Sequence, residues 1–191
     1  MIRKLATIAV LAGAGAAVAA PVTYNVDPTH TYPSFEADHM GGLSLWRGKF
    51  NSSSGKVVLD REAKTGEVEI TVDMASVDFG LDAMNDHAKN PDIFDVAKYP
   101  TATYKGKVSK WNGDAPAEID GQLTLKGVTK PVKLTINSFL CKPNPMTRKE
   151  TCGADAVGTF NRDDFNVDYG KDFGFRMETK VLVSIEAVRA D

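Results

Sequence analysis

From Tyr24 onward, apolar and polar positions alternate with a period close to two. Val68, Ile70, Val72 and Met74 alternate with Glu67, Glu69, Thr71 and Asp73, the pattern of a strand with one buried face. Ile119, Gly121, Leu123 and Leu125 alternate in the same way with Glu118, Asp120, Gln122 and Thr124. After a turn over residues 126–131 the rhythm resumes with Val132, Leu134 and Ile136. Phe175, Met177, Thr179, Val181, Val183, Ile185 and Ala187 describe one long final strand facing a single interior. Further strands are expected over residues 22–26, 31–39, 55–60, 102–108 and 154–160, with residues 61–66 as a hairpin turn. Short strands punctuated by regular turns indicate an all-β sandwich or barrel.

One segment breaks this rhythm. Residues 81–90 carry apolar side chains at helical spacing, with Asp82 where an N-cap would sit and Pro91 as the stop. A further turn is expected over residues 93–96. The pattern therefore predicts one short helical insertion, near residues 82–96, in an otherwise antiparallel chain.

The start of the chain follows neither pattern. Arg3 and Lys4 precede an apolar, Ala- and Gly-rich run over residues 5–18, and Ala17-Val18-Ala19 supplies a small-x-small cleavage pattern. Residues 1–19 therefore read as a secretory signal peptide, too short to hold as a membrane anchor. Residues 20–191 are expected to form one exported domain, located in the periplasm and without stable membrane insertion. Export also changes the meaning of Cys141 and Cys152, the chain's two cysteines. An oxidising compartment favours joining them as a disulfide across the intervening polar, proline-containing loop. A redox pair would want Cys-x-x-Cys spacing, which is absent.

Composition narrows the function by exclusion. The chain has 191 residues, 42% hydrophobic and 25% charged, enough to bury a core without a framework of staples. A formal net charge of −2 provides no basic field, so no nucleic-acid partner is expected. No nucleophile elbow and no Gly-rich phosphate loop occurs, so the protein is not expected to be an enzyme.

Several ordered motifs carry a more specific resemblance. Tyr24-Asn25-Val26-Asp27-Pro28-Thr29-His30-Thr31 resembles the opening signature of the YceI-like, polyisoprenoid-binding family. Arg47-Gly48-Lys49-Phe50-Asn51, Asn85-Asp86-His87, residues 94–101, residues 121–132 and Asn161-Arg162-Asp163-Asp164-Phe165 follow in that family's order. The stretch between Cys141 and Cys152 departs from the pattern and resembles an insertion between two strands. The resemblance implies a lipocalin-like, eight-stranded antiparallel β-barrel that holds a long apolar ligand. Candidates are a polyisoprenoid, an isoprenoid quinone or a similar lipid, as ligand and not as a cofactor. The alternatives are a periplasmic enzyme acting on a small hydrophobic or isoprenoid substrate, and a ligand-free interaction module with a filled barrel. A homodimer is left open.

Within that frame the candidate ligand-binding residues are Phe35, His39, Trp46, Arg47, Phe50, His87, Phe94, Tyr99, Phe160, Arg162, Phe165 and Phe175. The aromatics would supply apolar wall, although in an all-β chain they also serve as core plugs and corner packing. Arg47, His87 and Arg162 would bind a polar head group. For Arg162 an ordinary salt bridge to Asp163 or Asp164 is the competing reading, and for His87 a structural role. His30 reads as a turn residue whose ring bonds a backbone group. His30, His39 and His87 show no ligand spacing, so no metal site is expected. Small residues at inward positions (Ala102, Gly121, Ala156 and Gly158) would leave room inside the barrel.

Overall fold

The strands follow the alternation because each must turn its apolar face towards the same interior. In the computed structural model, which describes residues 20–191, the chain forms strands β1 (Val22–Val26), β2 (Tyr32–His39), β3 (Ser44–Phe50), β4 (Ser53–Asp60), β5 (Thr65–Asp73) and β6 (Val77–Asp78). Helix α1 (Asp82–Ala88) follows, then β7 (Thr101–Asn112), β8 (Ala115–Leu125), β9 (Val128–Pro143), β10 (Glu150–Asn161) and β11 (Glu178–Arg189). The segment read as a secretory signal lies outside the described residues.

All pairings are antiparallel, and the sheet closes on itself. The order β1-β4-β5-β7-β8-β9-β10-β11 returns to β1 through Tyr24 opposite Arg189 and Val26 opposite Ala187, giving an eight-stranded barrel. Closure removes the exposed edges that an open sheet would present. Towards one end, β2 takes over from β1 along β11, with Thr179 opposite Ala37, and β3 and β6 extend from it. There the helical insertion packs against the barrel. Ile93 is buried, the Phe94 and Phe50 rings lie 6.0 Å apart, and the Lys126 ammonium donates to the Pro91 carbonyl at 2.9 Å.

Several boundaries differ from the sequence expectation. Residues 44–50 form a strand that alternation alone did not mark. The turn expected over residues 126–131 shrinks to Lys126 and Gly127, both at positive φ, so Pro131 lies within β9 opposite Gln122. Two positive-φ residues match the twist of a tight hairpin. Asp82 is the first residue of α1 and not its cap; Leu81 holds that position without a side-chain bond. Phe175 and Met177 fall before β11, because Gly170 and Gly174 turn the chain at φ +85° and +80°.

The cysteines pair as expected, but within a ladder. Cys141 and Cys152 are direct cross-strand partners on β9 and β10, and the strands continue beyond them to Pro143 and Glu150. The disulfide thus joins two paired strands and leaves only the six residues 144–149 as a turn.

Candidate functional site: an apolar cavity with one polar end

The inward faces of the strands enclose a cavity of about 500 Å³. That volume lies within the range of about 300–1,000 Å³ typical of small-molecule sites. Its wall is the set of in-phase apolar positions, including Val68, Ile70 and Val72 on β5, Leu134 and Ile136 on β9, and Val181, Val183 and Ile185 on β11. Room comes from two of the four small residues singled out by phase. Ala102 and Ala156 line the cavity. The other two are covered. A Cβ on Gly121 would lie 2.3 Å from the Tyr104 ring and hydroxyl, and one on Gly158 would lie 2.8 Å from a Leu134 methyl.

One end is plugged. Tyr24, Leu59, Cys152 and Ala187 form a small core there, with Trp111 and Phe139 packed against it. The Tyr24 hydroxyl donates to the Glu150 carboxylate. Burial, helped by that carboxylate, pushes its pKa up to about 12. Midway along the barrel, the Tyr104 hydroxyl donates to the Val132 carbonyl at 2.9 Å, and burial drives its pKa upward too. Both phenols therefore stay neutral near pH 7.

The other end is aromatic and polar. His39 stacks on Trp46 at 5.0 Å and meets the edge of Phe175 at 5.0 Å. Phe79 packs edge-on against Phe35 at 5.4 Å and against Trp46 at 6.0 Å. His87 bonds Asp92 at 3.1 Å and meets the edge of Tyr169 at 4.9 Å. Asp38 also reaches the cavity, but its carboxylate is engaged. It accepts the backbone N–H groups of Gly41 (2.8 Å) and Arg176 (2.9 Å), which hold its pKa below the usual carboxylate value. It thereby ties the β2–β3 turn to the segment before β11.

Of the candidate residues, Phe35, His39, Trp46, Phe50, His87, Phe94, Phe160, Arg162 and Phe175 line this one cavity. Arg47, Tyr99 and Phe165 do not. Arg47 follows the inward Trp46 by one residue, so the strand's period turns it outward, where it pairs with Glu36 at 2.7 Å. Tyr99 covers the β8–β9 turn, where a Cβ on Gly127 would lie 2.7 Å from its ring. Phe165 is 1% exposed and backs the wall from outside, edge-on to Phe160 at 5.1 Å.

Arg162 has no ion pair among the described residues, and the acids beside it are taken. Asp163 pairs with Lys171 at 2.8 Å, and Asp164 lies 3.6 Å from Lys130. Its Nη1 donates to the Val167 carbonyl at 2.8 Å, while burial lowers its pKa from the ordinary arginine value. His30 bonds the Asp27 side chain at 2.9 Å, not a backbone group. It sits apart with Asp27 and Glu186, so the three histidines do not gather into one group of metal-ligating atoms.

Tyr24, Asp38, Tyr104, Tyr169 and Thr179 line the cavity as well, outside the set of candidate ligand-binding residues. Tyr104 and Thr179 were within reach. Each is a polar residue at the inward phase of its strand, and an inward polar group among apolar neighbours is a signal in itself.

Comparison with known proteins agrees with this architecture. The chain is 32% identical over 178 residues to Protein YceI of Escherichia coli O157:H7, covering 92% of this chain and 91% of that protein. It is 31% identical over 188 residues to a UPF0312 protein of Pectobacterium atrosepticum, covering 97% and 95%. Its fold is similar to that of Burkholderia cenocepacia BcnA (TM-score 0.67, 28% identity), covering 85% of this chain and 99% of that one. It is also similar to a polyisoprenoid binding domain from Saccharophagus degradans (TM-score 0.62, 16% identity), with 88% and 99% covered. The YceI-like domain matches residues 24–188, and the chain belongs to that family.

Proposed function

We propose that the protein is a periplasmic carrier that holds a long apolar ligand inside the barrel, a polyisoprenoid, an isoprenoid quinone or a similar lipid. The observation that carries this reading is the cavity of about 500 Å³, walled by strand residues whose apolar side chains would otherwise have packed against one another. Withdrawing a hydrocarbon tail from water into such a space stabilises the complex by about 25 cal/mol per Å² of apolar surface buried. The ring of His39, Trp46, Phe79 and Phe175 at one end adds rigid contact area at little entropic cost. The cross-strand disulfide supports the periplasmic part, because such bonds persist in oxidising compartments. Among proteins of this fold, the S. degradans domain is a polyisoprenoid binding domain, which makes prenyl lipids the first ligands to test.

The reading assigns no covalent chemistry. It is tested by purifying the protein without delipidation and analysing an organic extract by mass spectrometry, then adding prenyl lipids and quinones. A co-purifying lipid, or saturable uptake, is expected. An empty extract together with no uptake would overturn the reading.

A further inference from the structure

Two buried donors at the polar end of the cavity have no partner. Thr179 is 5% exposed, and its hydroxyl makes no hydrogen bond. The Arg162 Nε is buried and equally unpaired. Both residues line the cavity, and the ladder between β10 and the chain leading into β11 sets them side by side. Phe160 stands opposite Thr179, and two residues further on the Arg162 N–H donates to the Met177 carbonyl at 2.9 Å. Buried donors are almost always satisfied, so a neighbouring pair without partners calls for acceptor oxygens that the described residues do not supply.

The charge balance narrows the class. Arg162 keeps its proton under any physiological condition, and no carboxylate forms an ion pair with it among the described residues, although Asp163, Asp168 and Asp38 act on it from beyond contact distance. A cationic head group would offer no acceptor to either donor and would meet the guanidinium charge at contact distance. A neutral hydroxyl would satisfy one donor and leave the other unpaired. An anion with two or more oxygens can accept from both, and its bond to the guanidinium is charge-assisted.

We propose that Arg162 and Thr179 form an internal anchor for an anionic head group, a carboxylate or a phosphate monoester, with the tail running along the barrel past Ala156 and Ala102. This rests on the carrier reading above and adds which amphiphiles the cavity prefers.

The test is competition against N-phenyl-1-naphthylamine, a neutral dye whose fluorescence rises in apolar cavities. Four ligands share one tail: palmitate, hexadecyl phosphate, hexadecanol and hexadecylamine. The two anions are expected to displace the dye at about tenfold lower concentration than the alcohol, the size of a charge-assisted hydrogen bond, with the amine weakest. The readout is the ratio of anion to alcohol within each protein, so a general change in affinity cancels. Arg162→Gln should erase this ratio. Thr179→Val, which keeps the shape and removes the hydroxyl, should reduce it even if the arginine variant folds poorly.

Equal displacement by all four ligands, or an anion preference that survives both substitutions, would overturn the anchor while leaving the carrier reading intact. A wild-type protein that takes up neither dye nor lipid would remove both. Palmitate and hexadecyl phosphate together decide which anion fits better.

Discussion

The ring of Tyr104 occupies the space in which a side chain on Gly121, its diagonal neighbour on the adjacent strand, would stand, 2.3 Å from where the Cβ would be. The two residues work as one unit. Glycine lets the ring lie flat against β8, and the hydroxyl then reaches the Val132 carbonyl on β9 at 2.9 Å. Gly121→Ala is expected to expel the ring and destabilise the fold by about 1–3 kcal/mol, the usual cost of overpacking. Tyr104→Phe should cost about 1 kcal/mol for the lost hydrogen bond. Equilibrium denaturation of both variants checks this, and a neutral Gly121→Ala would mean that the ring has another resting place.

Ala156 lies on the cavity wall opposite Ile136 and Val183. Ala156→Leu should fill part of the cavity, weakening lipid or dye uptake by about tenfold or more while leaving the melting temperature unchanged or higher, because filling an apolar void is favourable. Uptake at wild-type strength from a variant of wild-type stability would place the binding site elsewhere.

The Cys141–Cys152 bridge spans 11 residues of chain. Restricting the unfolded chain over a loop of this order is worth about 3 kcal/mol. Reduction, or the double substitution of both cysteines by serine, is expected to lower the unfolding free energy by about that amount. The barrel should persist, since the β9–β10 ladder continues on both sides of the bridge. Urea denaturation with and without dithiothreitol measures the difference.

The break between β1 and β2 carries a pH dependence of its own. Thr29 and His30 bond the Asp27 carboxylate and pull its pKa from 3.8 down to about 2, and Asp27 in turn raises that of His30 above 6.5. The aspartate's contribution is therefore present above about pH 4 and lost as the pH falls towards 2. The histidine's is present below about pH 6.5 and lost as the pH rises through its folded value. This turn should stabilise the fold most between those limits. Both arms should vanish in Asp27→Asn, so the melting-temperature advantage of wild type over the variant, plotted from pH 2 to 9, should be largest between those limits and fall off on either side. An unchanged histidine arm would mean that His30 draws its shift from elsewhere, with Glu186 the nearest candidate.

Much of the fold was legible in the alternation. The phases of β5, β8, β9 and β11 name the residues that line the cavity, because in a strand the period of two alone decides which side chains share a face. The site was legible to the extent that phase reaches. Phe35 falls in a strand that the alternation marks, whereas Trp46 and Phe50 lie on β3, which it does not mark, and there Arg47, one residue out of phase with Trp46, points outward. Phe165 and Tyr99 lie in irregular segments, where no period states a direction.

The sequence by itself determined that the chain is an antiparallel all-β domain of the YceI-like family with one helical interruption and one cysteine pair. Period, turn residues and motif order are properties of neighbours along the chain, and they need no knowledge of what lies across it. Only the tertiary structure decided where the barrel is hollow. Four small residues share the inward phase, yet Tyr104 covers Gly121 and Leu134 covers Gly158, while Ala102 and Ala156 remain on the cavity wall. Only the tertiary structure left Arg162 unpaired, because Lys171 and Lys130 take the acids beside it. Free volume and charge compensation are set between strands distant in sequence, and a one-dimensional pattern carries no information about either.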